Sequence, residues 1–448
     1  MDISAGDGRP LDYGMAIREA GADAQRIERL YQQARRAGET RRFAAGLRAV
    51  AAEAPGDGLF SAWRARLDYA EQMGHGAWRL GAGWWIAAPL GLVLWLAFFA
   101  VSDPTWLLPN RAPVAALLWP SLAALALIWY LTLSARRGFA LAAGASLALV
   151  ALPAYIWYVS QSQTPASQSG YLDLMILHNL LLSWALVGIV ALGLRPSPRD
   201  LFGMLTKSLE TTGVAGVYTI AGAIFVGLSV ATFATLGVTP SATVIRALVS
   251  GGGLIVTLAL ASAYDPSRRA GEQGFYRGFG KILAIAMHAL LPLTLVTLVI
   301  YLALVPANFA DPFQQRNALI AFNGALFALM GLLVGVIPMG ADVFPSRYLR
   351  WLRAGIIALA ALALVVSLYL FAAILYRAAV DGLTMNRVAV IGWNLLNITL
   401  LALALVAQAR AGRAGDWIAA LQRLARGGAL AYVLWGAALV FALPWLFR

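Results

Sequence analysis

From Trp84 onward the chain is a succession of apolar runs about 20 residues long. They lie near 84–102, 113–134, 138–159, 173–194, 213–236, 243–264, 282–305, 317–339, 351–376, 387–408 and 428–447. At 1.5 Å per residue each run is long enough to cross a hydrocarbon core of ~30 Å. Lipid offers no hydrogen bonds to an open backbone, so runs of this kind fold as helices and not as lone strands. The expected fold is an all-α polytopic transmembrane bundle of about 11 helices. Pro89, Pro120, Pro153 and Pro292 fall inside runs and predict kinks without breaks. With 60% hydrophobic and 12% charged residues in 448, a soluble multi-domain fold is excluded.

The basic residues supply the orientation. With the N-terminal tail in the cytoplasm, the tail holds twelve arginines. Alternate connections then hold Arg136 and Arg137; Arg195, Arg199 and Lys207; Arg268, Arg269, Arg277 and Lys281; Arg347, Arg350 and Arg353; and Arg410, Arg413, Arg423 and Arg426. The opposite side receives only Arg111, Arg246, Arg316, Arg377, Arg387 and Arg448. That is 28 of 34 basic residues on one side, which predicts an N-in, C-out topology. The net charge of +13 is therefore mainly a topology signal, and no nucleic-acid partner is expected. Cysteine is absent, which removes disulfides, thiolate metal sites and cysteine nucleophiles.

Residues 1–80 are the one part with a soluble pattern. Ile27, Leu30, Tyr31 and Ala34 recur at helical spacing, as do Phe43, Leu47, Val50 and Ala51, and then Leu59, Phe60, Trp63 and Leu67. Turns are expected at 38–40 and 55–58. Its twelve arginines nearly cancel against eleven carboxylates, unlike a polybasic arm. A helical cytoplasmic appendage follows, packing on the membrane region or on a protein partner. No short apolar run with a cleavage site precedes Trp84, so no cleaved signal peptide is expected.

Two basic stretches carry apolar stripes: Leu201, Phe202, Leu205 and Leu209 beside Lys207, and Trp417, Ile418, Leu421 and Leu424 beside Arg423. Both predict short helices lying on the inner membrane surface. The polar stretch SQSQTPASQSG (160–170) reads as a flexible outer loop without nameable chemistry. Ser250-Gly251-Gly252-Gly253-Leu254 predicts either close helix contact or local unwinding. The run 223–227 predicts a small-residue packing face.

Polar residues inside the runs concentrate toward the arginine-poor side. By helical rise His178 and Asn179 lie about 8–9 Å deep, Arg246 about 5 Å, Asn323 about 9 Å, and Asn394 and Asn397 about 10–15 Å. Such groups either hydrogen-bond one another between helices or line a wet pocket. His178 and His288 differ in depth by roughly 12 Å, which excludes a haem held between them. Three scattered histidines make no HExxH zinc site, and no P-loop or Gly-x-Ser-x-Gly elbow occurs. No cofactor is expected.

The stretch YRAAVDGLTMNR (376–387) places two arginines at the rim. Arg377 follows a helix C-terminus, where a cation is favoured, whereas Arg387 opens a helix, where an anion is favoured. Thr384 is positioned to cap that helix, and Asp381-Gly382 supplies a tight turn. Two outcomes are open: a salt-bridge clasp through Asp381, or a site for a lipid phosphate.

The segment LYRAAVDGLTMNRVAVIGWNLL resembles a pattern in bacterial multi-pass membrane proteins of the domain-of-unknown-function family numbered 4153. That pattern ends a helix, then reads arginine, Gly-Leu-Thr and arginine, matched here by Arg377, Gly382, Leu383, Thr384 and Arg387. The run RDLFGMLTKSLETTGVAGVYTIAGAIFVGLSV is similar to the family as well. Tyrosine commonly precedes the glycine there, and this chain has Asp381 instead. The resemblance covers about 195–405 and implies a bacterial integral membrane protein, bringing no activity, cofactor or catalytic residue. The expected role is handling or transport of an anionic or amphiphilic envelope molecule, with membrane lipids as partners. A non-catalytic scaffold or sensor acting through residues 1–80 is the alternative, and a membrane-embedded enzyme ranks third.

Overall fold

The computed structural model describes residues 12–36, 39–54, 56–74, 83–235, 237–314, 316–340, 343–411 and 416–447. They divide into two compact units, 1–81 and 82–448.

The first unit holds α1 (Tyr13–Ala20), α2 (Ala24–Arg36), α3 (Thr40–Glu53) and α4 (Gly58–Gly74). Its core is built from the residues that the helical spacing singles out: Ile27, Ala34, Phe43, Leu47, Val50, Phe60, Trp63 and Leu67 are all buried. The first helix was not anticipated, and it adds Tyr13, Ile17 and Ala20 to that core. Asp12 caps it through Gly14 and Met15 N–H, and Asp57 caps the fourth helix in the same way through Leu59 N–H. Tyr13, Tyr31, Phe43 and Trp63 form a ring cluster, with the Arg66 guanidinium 4.4 Å from the Trp63 centroid.

The second unit is a helical bundle. Its first part comprises α5 (Trp84–Val101), α6 (Val114–Ala135), α7 (Phe139–Ser160), α8 (Pro165–Leu192) and α9 (Pro198–Thr235). Next come α10 (Ala242–Ser250), α11 (Gly252–Ala263), α12 (Phe279–Leu304), the short α13 (Asp311–Gln314) and α14 (Arg316–Gly335). The chain closes with α15 (Ser346–Asp381), α16 (Met385–Arg410), α17 (Asp416–Phe441) and α18 (Leu443–Leu446). Among the described residues ten helical stretches are long and apolar enough to cross a membrane, α10 and α11 counting together as one. An eleventh, in α14, runs Leu319–Gly335 and is shorter. The protein is a multi-pass, all-α membrane protein. Pro89, Pro120, Pro153 and Pro292 lie inside unbroken helices, as expected.

Side-chain contacts sort the connections into two ends. At one end Asn110 binds Asp173, Arg246 pairs with Asp103, and Gln163 donates to the Pro444 carbonyl. At the other Arg353 binds Gln408, Gln422 donates to the Pro338 carbonyl, and Lys207 reaches the Gly274 carbonyl. The first set joins the arginine-poor connections and the second joins the arginine-rich ones.

Three local expectations fail. The stripes at 201–209 and 417–424 are not separate surface helices: they are the first turns of α9 and α17. Phe202, Trp417, Ile418 and Leu421 turn into a core with Leu352, Ile356 and Leu401, where burial gains more than interfacial contact offers. The 223–227 face does not pack either; Ile224 and Phe225 are exposed, and a Cβ at Gly227 would touch nothing. The polar stretch at 160–170 is structured from Pro165 onward, with Thr164 as cap and proline at N1.

The triple glycine does both things considered for it. The helix breaks at Gly251 between α10 and α11, and the Trp95 indole N–H binds the Ala247 carbonyl at 2.7 Å. A Cβ on Gly253 would stand 2.7 Å from the Trp95 backbone nitrogen, and one on Gly91 3.1 Å from the Leu254 Cα. Glycine at both positions lets α5 and α11 meet backbone to backbone.

Candidate functional site

The α15–α16 hairpin builds the arginine-poor rim. Helix α15 ends at Asp381, Gly382 takes φ +80°, and the Thr384 hydroxyl accepts the Arg387 N–H at 3.3 Å to cap α16. The turn folds Arg387 back on itself. Its guanidinium lies 2.6 Å from the Asp381 carboxylate and donates to the Gly382 carbonyl at 2.6 Å. The clasp is made. Arg377, one turn earlier on α15, points toward α13 and donates to the Gln314 carbonyl at 3.2 Å. Among the described residues it has no carboxylate partner.

Beside the clasp opens a cavity of about 680 Å³. Arg377, Thr384, Asn386 and Arg387 supply its polar wall, with Ser167 and Gly170 from α8 opposite. Leu319, Ile320, Ile374, Leu383, Val390 and Phe447 supply the apolar wall. Asn323 reaches it from α14 and accepts the Asn394 amide N–H at 2.7 Å. Asn394 is fully buried, and its carbonyl oxygen has no partner among the described residues.

The remaining predicted residues lie outside the cavity, and each is committed to packing. Asn179 is fully buried, donates to the Leu117 carbonyl at 2.6 Å, and accepts from Ser121 and Ser183. His178 donates from Nδ1 to the Leu174 carbonyl at 2.7 Å and accepts the Trp393 indole N–H on Nε2 at 3.1 Å. That pair of contacts fixes one neutral tautomer. Asn397 accepts the Tyr432 hydroxyl. Arg246 pairs with Asp103 at 3.4 Å and lies 4.3 Å over the Phe99 ring, on α5 and α10. The Asp103 carboxyl is held below the usual range first by the Thr105 hydroxyl and amide, with Arg246 adding to it. A single polar pocket uniting all ten residues does not form. Asn323, Thr384, Arg377 and Arg387 line it, and Asn394 and Asp381 support it from behind. His178, Asn179, Asn397 and Arg246 are interhelical glue.

A second cavity of about 350 Å³ lies toward the arginine-rich end, almost wholly apolar, between α8, α9, α14, α16 and α17. Helix α14 shows Asn323 to the first cavity and Phe327 to the second, one turn or about 6 Å apart. Phe327, Trp393 and Tyr432 meet edge to face, with ring centroids 5.3–6.2 Å apart and ring planes 60–75° to one another. The spacing of Leu421, Leu424, Ala425 and Gly428 marks one face of α17 in the sequence, but which faces of the other helices meet it is set by tertiary packing.

Comparison with known proteins gives no matching family model, no matching curated protein and no matching solved structure.

Proposed function

We propose that the protein binds an anionic amphiphile of the cell envelope in the α15–α16 cavity and handles or transports it. The chain is then a bacterial cytoplasmic-membrane protein with its arginine-rich end inward. One observation carries the reading: among the described residues Arg377 stands at the cavity wall without a carboxylate, while Asp381 already neutralises Arg387. Among the described residues the rim thus carries one positive charge without a carboxylate above apolar walls, which suits a head bearing phosphate or carboxylate and a hydrocarbon chain. The volume lies within the range of small-molecule sites.

Photo-crosslinking with an anionic phospholipid carrying a reactive acyl chain tests this. Label is expected on Leu319, Ile320, Ile374 and Val390. Label confined to the outward face of α9, at Ile224 and Phe225, would end the proposal.

A scaffold or sensor role is the second reading, favoured by the separate core of α1–α4. Deleting residues 1–81 would then abolish co-purification of a protein partner while leaving lipid binding intact.

A further inference from the structure

At the arginine-rich end, the α6–α7 turn, the end of α8, the start of α9 and residues 264–270 enclose a cavity of about 250 Å³. Arg137 and Arg269 stand at its rim, both exposed and, among the described residues, neither in an ion pair. The neighbouring Arg268 is taken by Asp265 at 3.3 Å. Asp200, the carboxylate in the lining, accepts from the Gly271 N–H at 3.0 Å and from the Ser197 N–H and hydroxyl at 3.0 and 2.7 Å, and lies within Coulombic reach of Arg269 without forming an ion pair with it.

Two further features point into the same space. Thr132 is 1% exposed, lines the cavity, and among the described residues its hydroxyl has no hydrogen-bond partner. Thr206, Thr212, Thr219 and Thr294, by contrast, each return a bond to the carbonyl four residues back. Gly138, at φ +78°, starts α7 without a side-chain cap, and Gly138 and Leu141 both line the cavity. The first amides of α7 are therefore available to an anion. Leu131, Leu141, Val190 and Leu192 continue the wall as hydrocarbon.

We propose that this cavity is a headgroup site for an anionic phospholipid, its phosphate held between Arg137 and Arg269 and its acyl chain lying along Leu131, Leu141 and Val190. The planar guanidinium forks match phosphate oxygens, and basic pockets between membrane helices suit lipid phosphates. The Thr132 hydroxyl donates to the same headgroup. This site is separate from the α15–α16 cavity and does not depend on it.

The test is lipid retention by native mass spectrometry, after equilibration in phosphatidylcholine nanodiscs doped with phosphatidylglycerol. It is run in the wild-type and Arg377→Ala backgrounds, so that the two sites are counted separately. Arg137→Ala/Arg269→Ala is expected to lower phosphatidylglycerol retention about tenfold or more in both backgrounds, as loss of charge-assisted bonds does. Arg137→Lys/Arg269→Lys is expected to restore part of it, with thermal unfolding unchanged. Thr132→Val is expected to give a smaller loss. Retention that does not change in the double alanine variant would overturn the proposal. So would displacement of the lipid by millimolar inorganic phosphate, because the site would then recognise the free anion.

Discussion

The Arg387 guanidinium and the Asp381 carboxylate meet at 2.6 Å across the turn between α15 and α16, leaving Arg377, among the described residues, as the cation at the cavity without a carboxylate. Replacing Asp381 with Asn therefore uncovers a second positive charge at the rim. Both partners are partly exposed, so the lost stability is small, about 0–1 kcal/mol. Retention of anionic lipid is expected to rise in Asp381→Asn and to fall in Arg377→Ala, measured side by side in nanodiscs.

Adjacent glycines in the broken span behave oppositely. A Cβ on Gly253 runs into the Leu94–Trp95 backbone, whereas one on Gly252 meets nothing within 4 Å. Gly253→Ala is expected to force α5 and α11 apart and destabilise by roughly 1–3 kcal/mol. Gly252→Ala is expected to be neutral or stabilising by up to about 1 kcal/mol, as alanine orders a helix more readily than glycine. Thermal unfolding in detergent distinguishes the two.

Helix α9 buries an ion pair. Lys207 and Glu210 are 4% and 6% exposed, their Nζ and Oε2 atoms 2.6 Å apart, with Lys207 also bonded to the Gly274 carbonyl. Removing one partner strands a charge in the interior. Lys207→Met alone is expected to destabilise by roughly 3–5 kcal/mol, and Lys207→Met/Glu210→Leu to recover much of that loss. Unfolding midpoints of the single and double variants provide the check.

In the first unit, Glu53 is held below its ordinary value by the hydrogen bond from Arg18, Glu39 by that from Tyr13, and Glu28 by that from Arg66. A carboxyl with a depressed folded pKa contributes stability above its unfolded pKa and loses it as pH falls through the folded value. A fragment of residues 1–81 is expected to keep its thermal midpoint from neutrality down to the carboxylate range near 4.5. Below that range the midpoint falls, and circular dichroism melts across pH measure it. Arg18→Ala is expected to flatten the decline.

Periodicity made most of this fold legible. Ile27, Phe43, Leu47, Trp63 and Leu67 are identifiable as core from spacing alone. The turn at Asp381-Gly382 and the Thr384 cap were readable because cap and turn chemistry is local. What stayed hidden is set by tertiary contact. Lys207 counts as a loop cation in a positive-inside tally, yet residues 274–275 cover it and Glu210 neutralises it. Depth alone grouped His178 and Asn179 with Asn323, but rotation about the helix axis decides which of them meets a cavity. The 201–209 and 417–424 stripes have the pattern of surface helices, and only the packing partners at Leu352 and Leu401 distinguish a core helix from an interfacial one.

The central claim is that Arg377 holds an anionic amphiphile in the α15–α16 cavity. Native mass spectrometry of protein extracted from its own membrane reads this directly, on the wild type and on Arg377→Ala and Arg387→Ala. The account predicts a co-purified anionic lipid that Arg377→Ala loses about tenfold or more. It predicts a smaller loss from Arg387→Ala, whose main effect falls on the α15–α16 turn. Equal lipid retention in all three proteins would contradict it.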